Sequence, residues 1–133
     1  MFKNHESFTR IYHKTNGRDF NFCDCYGICY LFNKEVLNKE IPLYLEENIE
    51  DKEAINATYN SKQSEFVNIP IGKETTGDIV SIKFKNMPIH VGVIVEKGVM
   101  LHVMENRQAV IESYNSIRWK NKIDSFWRYE STK

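Results

Sequence analysis

No stretch of this chain is long and apolar enough to span a bilayer, and its first ten residues lack the apolar core of an export signal. The expectation is a protein made in the cytoplasm without a signal peptide and with no membrane partner. Charge of one sign is missing too. Eighteen Lys and Arg balance eighteen Asp and Glu, so no field directs the chain to nucleic acid. Proline and glycine are scarce, at three and six of 133 residues, and no linker, repeat or low-complexity tract divides the sequence. This length suits one core and is short for two, so residues 1–133 are expected to form a single domain. Cysteine occurs only as Cys23, Cys25 and Cys29. Three thiols crowded on one turn do not make a disulfide framework, which points to a reducing compartment.

What is present centres on Asp24-Cys25-Tyr26-Gly27. Asp24 is a good helix N-cap, and Ile28, Leu31, Phe32 and Val36 follow at helical spacing, with Cys29 beside them. The predicted helix fades near Asn38, and Ile41-Pro42 marks its exit. Cys25 then occupies the first helical position, where unpaired N–H groups and the helix dipole favour a thiolate. Before it, Phe8, Ile11 and Tyr12 suggest a short helix ending near Asn16-Gly17, and Gly17 to Cys23 reads as a loop. Between Glu46 and Phe66, Ile55, Tyr59 and Phe66 suggest a weak second helix behind a solvated acidic cluster of Glu46, Glu47, Glu50, Asp51 and Glu53.

From Val67 the texture becomes that of strands. Ile79–Phe84, Ile89–Val95, Val99–Met104, Ala109–Ser113 and Ile123–Tyr129 are predicted strands, with a turn at Asn86-Met87-Pro88 and a helical turn at Ser116–Lys120. Helices first and antiparallel strands second make an α+β fold. In the strand 89–95, period two places His90, Gly92 and Ile94 on one side and Ile89, Val91, Val93 and Val95 on the other. A three-residue loop Glu96-Lys97-Gly98, with Gly98 left-handed, pairs residues whose numbers sum to 194. His102 then lies opposite Gly92 and diagonal to His90, on the same face. A two-residue loop would separate the histidines. A Cys at a helix start and two histidines on one sheet face supply a nucleophile, a base and an orienting group. The alternative, zinc on the three cysteines, is disfavoured because C-x-C-x3-C lacks the paired C-x2-C spacing of structural sites. No metal and no cofactor are expected.

Asp24-Cys25-Tyr26-Gly27, Gly77-Asp78-Ile79-Val80, His90-Val91-Gly92-Val93 and Leu101-His102 together resemble, in order, the signature of NlpC-type cell-wall cysteine peptidases. The resemblance runs from about residue 12 to the C-terminus. It is nearest the phage tail-assembly branch, through Tyr26 after the cysteine and the closing Arg118-Trp119 and Phe126-Trp127-Arg128-Tyr129. It implies a papain-like fold, with the nucleophile helix packed on an antiparallel sheet and the Cys25 sulfur facing His90. Cys25 is implied as nucleophile, His90 as general base and His102 as third member. Tyr12 stands where relatives carry a tyrosine that helps form the oxyanion site, although only Gly17 matches the Gly-Gly pair that usually accompanies it. The implied activity is cleavage of peptide bonds in peptidoglycan stem peptides. The implied setting is a phage tail tip, with other tail proteins as partners and a location in the virion. A structural tail protein with a vestigial site, and an intracellular thiol amidase or acyl hydrolase of the same fold, are the competing readings.

Overall fold

Asp24 ends an extended segment, with φ −88° and ψ −175°, and its carboxylate accepts the Gly27 N–H at 2.7 Å. That cap starts the helix one residue later, at Cys25. In the computed structural model, which describes residues 6–42, 66–84 and 87–130, the elements run α1 (Glu6–Thr9), β1 (Tyr12–His13), β2 (Phe22–Cys23), α2 (Cys25–Leu37), β3 (Phe66–Ile69), β4 (Ile79–Phe84), β5 (Met87–Glu96), β6 (Val99–His102), β7 (Val110–Ser113) and β8 (Ile123–Tyr129). Helix α2 buries Ile28, Cys29, Leu31 and Phe32. Each of the larger apolar side chains contributes about 1.5–3 kcal/mol. The helix stops at Asn38, which is left-handed at φ 56° and donates its N–H to Asn33 O. Asparagine tolerates that conformation better than most side chains.

The six long strands form one antiparallel sheet in the order β3-β8-β4-β5-β6-β7. The expected α+β, papain-like arrangement of a helix on an antiparallel sheet is therefore present. Ile79, Val91, Val93, Val95, Leu101 and Val103 share a core with Ile28, Cys29, Leu31 and Phe32 of α2. The opposite face, with Val80, Ile82, Ile94, Met100 and Phe126, packs with Tyr114 and Trp119. Trp119 comes from the helical turn expected at 116–120, closed by Lys120 N–H donating to Ser116 O at 2.8 Å.

Four expectations about the elements need correction. Residues 2–16 do not continue as a helix past Thr9. Tyr12 and His13 instead become β1, paired in parallel with β2, while Ala109 N–H donates to Ile11 O and His13 N–H to Arg107 O. Residues 17–23, read as loop, thus contain β2, and the Asn16 turn is kept at φ 64°. Phe66 begins β3 rather than ending a helix, because it pairs with Tyr129. The rest of that predicted helix, with the acidic cluster, lies outside the described residues. Finally, Met87 pairs with Phe84 and so belongs to β5, not to a turn.

The Gly77-Asp78 pair proves to be a clamp. Gly77 is left-handed (φ 95°), and any β-carbon there would strike the Leu37 side chain. Its carbonyl accepts from the buried Asn33 side chain at 3.1 Å, tying α2 to the sheet. Asp78 accepts two bonds from Arg128 of β8, at 2.8 and 2.9 Å, and one from Thr75 N–H. This forked ion pair holds β8 beside β4.

Candidate active site

The helix start is held by more than its cap. Asp24 Oδ2 accepts Asn16 N–H at 2.8 Å, and Oδ1 also accepts Arg18 Nη1 at 2.7 Å. The Arg18 guanidinium lies over the Tyr26 ring, and the Tyr26 hydroxyl donates to Pro42 O. Gly17 and Gly27 let the β1–β2 loop lie directly on the helix, since a β-carbon on Gly27 would collide with Gly17 O. Asp24 is fully occupied as a cap and ion-pair partner, as its position at the N-cap predicts. Arg18 was not singled out from sequence.

The three cysteines are not equivalent. Cys23 is fully buried, donates its S–H to Asp19 O at 3.2 Å, and burial raises its pKa to about 12. Cys29 is fully buried and contacts Cys25 O, and burial raises its pKa well above the ordinary value. Cys25 alone is partly open to solvent. It sits at the first helical position, with the exposed ends of the backbone N–H groups around it.

The histidine register is reached by an unexpected route. Glu96 pairs with Val99, which leaves a two-residue loop with Gly98 left-handed at φ 94°. On its own that loop would put the histidines on opposite faces. A β-bulge between Ile94 and Glu96 adds back one residue, so Ile94 pairs with Met100 and Val93 with Leu101, the register expected. His102 therefore stands across from Gly92, where a β-carbon would come within 3.0 Å of His102 Cβ. His90 Nε2 lies 3.0 Å from His102 Nδ1, and His102 Nε2 lies 2.6 Å from Glu112 Oε2 on β7. Trp119 meets the His102 ring edge-on at 5.2 Å.

Glu112 is the residue that sequence reading missed. A strand was expected there, but its register against β6 was not. The observed pairs, His102 with Val110 and Met100 with Glu112, put Glu112 diagonal to His102 on the same face. His13 was also missed. It faces His90 from β1 closely enough to help lower that imidazole's pKa.

Burial, reinforced by His102 and His13, lowers the His90 pKa to about 3. Burial also lowers that of His102, although the Glu112 carboxylate opposes the shift. Both shifts favour the neutral imidazole. By the sheet's alternation the two rings project from the face of Val80 and Ile82, whereas α2 covers the face of Val91 and Val93. β1 and β2 run between the two faces at one end of the sheet. There β1 bonds the connection that follows His102, and β2 delivers the chain to Cys25. Tyr12 stands on β1 at this end, half exposed at 51%, bridged through its backbone to Gln108. Among the described residues no group of three or more His, Cys, Asp or Glu is placed to hold a metal ion.

Three solved structures similar to this chain carry one family name. The NlpC/p60 domain of the peptidoglycan hydrolase SagA superposes with a TM-score of 0.61 at 15% identity, covering 95% of this chain and 92% of that one. A Bacillus cereus NlpC/P60 family protein gives 0.60 at 18%, covering 85% and 33%. A Staphylococcus aureus protein described as similar to lipoprotein, NLP/P60 family, gives 0.62 at 11%, covering 99% and 44%. The chain thus spans nearly all of the first and less than half of the other two. Comparison with curated protein sequences gives no match. These identities speak for the fold alone. The sequence signature of the NlpC/P60 family, however, matches residues 11–128, from the strand before the nucleophile loop to the last strand of the sheet, and the chain belongs to that family.

Proposed function

We propose that this chain is a thiol hydrolase that cleaves peptide bonds of peptidoglycan stem peptides, with Cys25 as nucleophile, His90 as general base and His102 as the group that orients His90. Two features of the chain support the reading. One is a partly open thiol at a capped helix start. The other is a buried imidazole held by a second imidazole at 3.0 Å. Family membership and the SagA domain's description as part of a peptidoglycan hydrolase support the substrate class.

The chemistry follows from a thiol and an imidazole base. The Cys25 proton passes to His90 as sulfur attacks the carbonyl carbon, and the carbonyl π pair moves onto oxygen. The Cys25 backbone N–H, at the helix start, stabilises that oxyanion, and Tyr12 is the candidate second donor. The tetrahedral intermediate collapses, the C–N bond breaks, and His90 returns the proton to the leaving amine. Water then attacks the thioester with His90 again as base, releasing the acid and the thiol.

The tail-tip setting, and partnership with other tail proteins in a virion, rest on Tyr26 and the closing aromatic segment. Tyr26 sits between the Arg18 guanidinium and Pro42 O. Trp127 donates to Ser125 Oγ on β8.

Mass spectrometry of purified muropeptides after incubation is the direct test. Wild type should shorten the stem peptide, and Cys25→Ala should not. His90→Ala should remove nearly all activity, His102→Ala less and His102→Asn least, because a neutral amide oxygen can also accept from His90. Muropeptides left intact by folded wild type, or cut equally by Cys25→Ala, would reject the function.

A further inference from the structure

Glu112 lies at the end of a hydrogen-bonded row that the proposed reaction uses only in part. The distances are 2.6 Å from Glu112 Oε2 to His102 Nε2 and 3.0 Å from His102 Nδ1 to His90 Nε2. A carboxylate can only accept, so the proton of His102 sits on Nε2. In a neutral ring the other nitrogen, Nδ1, is then an acceptor, and it takes the Nε2–H of His90. The same rule applied once more leaves the lone pair of His90 on Nδ1. One carboxylate on β7 therefore dictates the tautomers of two imidazoles in succession.

From this geometry we propose that Glu112 is a positioning residue that fixes His90 as the Nδ1 base and supports the positive charge it acquires during thiol attack. The inference rests on the functional reading above, in which His90 takes the Cys25 proton. Two further arrangements favour it. Glu112 is anchored on a strand, across from the fully buried Met100, so its carboxylate is aimed by the sheet rather than by a loop. Trp119 closes the row edge-on, and its residue is 2% exposed, which limits competition from water for the His102 nitrogens. Among the described residues, Glu112 is the acceptor that dictates the His102 tautomer. The alternative, with His102 Nδ1–H donated to His90 Nε2, would move the His90 proton to Nδ1, where the base is needed.

The charged and titratable groups around the row come from several elements. They are His13 on β1, Arg118 in the turn before β8, and Glu112 itself on β7. Arg118 opposes a charge on His102, and His13 opposes one on His90. Glu112 is the group that favours positive charge there. The transferred proton stays on His90 Nδ1.

The test uses the full chain and needs no substrate. In 15N NMR of the wild type, His102 should carry its proton on Nε2 and His90 on Nε2. A wild-type His102 protonated on Nδ1 overturns the proposal before any variant is made. Iodoacetamide alkylation of Cys25 at pH 7 should slow about tenfold in Glu112→Ala, and Glu112→Asp should recover part of that rate. Loss of the tautomer preference in Glu112→Ala should accompany the slowing. Alkylation that slows in His90→Ala but stays within twofold of wild type in folded Glu112→Ala overturns the role of Glu112 and leaves the catalytic pair standing. Alkylation indifferent to His90 as well rejects the pair itself, and the role of Glu112 with it.

Discussion

At the scale of single residues, the three neighbouring thiols show how position sets chemistry. Cys23, with its pKa near 12, holds about a thousandfold less thiolate at pH 7 than an ordinary thiol. Cys29 is buried behind the first turn of α2. Brief treatment with iodoacetamide at pH 7 followed by peptide mapping should therefore label Cys25 at least a hundredfold faster than either. Equal labelling, or faster labelling of Cys23, would mean that the helix start confers no activation. Cys25 was legible in sequence because a cap and an apolar helical face follow each other without a gap. His90 and His102 were legible because Gly92 and Gly98 constrain the hairpin. Glu112 was not, since nothing local says which residue of an edge strand will stand diagonal to a given histidine. Tyr12 is a different case. Its place on β1 was hidden because β1 is two residues long and is made by pairing partners distant in sequence.

At the scale of elements, β4 to β8 were read with errors of at most two residues at any end, and the misreadings elsewhere share a cause. β1 and β2 have too few residues to show a period, and they exist because α2, the 103–109 connection and Gly17 leave room for them. The β5–β6 hairpin gives the reverse lesson. Its loop is one residue shorter than expected, and the bulge restores the register, so the functional pairing survives a wrong loop. That makes Gly92 a sensitive point. Its missing β-carbon admits His102 Cβ, with Leu101 O at 3.2 Å and Val80 Cγ1 at 3.4 Å on its other sides. Gly92→Ala should push β6 outward by a few tenths of an ångström and cost about 1–3 kcal/mol by overpacking. It should also weaken the His90–His102 bond. The check is urea denaturation together with Cys25 alkylation, where both stability and rate should fall. A variant as stable and as reactive as wild type would show that Gly92 is not needed for the approach of the two strands.

At the scale of the whole molecule, the buried row ties stability to pH in a way that reports on the resting state of the site. In the folded chain burial lowers the His90 pKa to about 3 and moves that of His102 in the same direction. Unfolded histidine titrates near 6.5. Below that pH the unfolded chain binds protons that the folded chain refuses, so stability is full above pH 6.5 and falls with pH through the window down to about 3. Between pH 7 and 5 the His90 contribution alone amounts to about 2 kcal/mol. Carboxylates act later. Glu74, lowered in the fold with Tyr114 O–H and Gly72 N–H as donors, loses its contribution only below the ordinary carboxylate range. Urea denaturation at pH 7 and pH 5 therefore isolates the histidines. Wild type should lose at least about 2 kcal/mol over that interval, and His90→Gln should lose about 2 kcal/mol less. A resting thiolate–imidazolium pair would do the opposite. It would raise the His90 pKa, and the folded chain would then hold its proton through this window with no loss of stability. A flat profile from pH 7 to 5, or an equal fall in His90→Gln, would reject the neutral resting pair. The measurement thus decides, without any substrate, whether the proton leaves Cys25 before the encounter or during the attack.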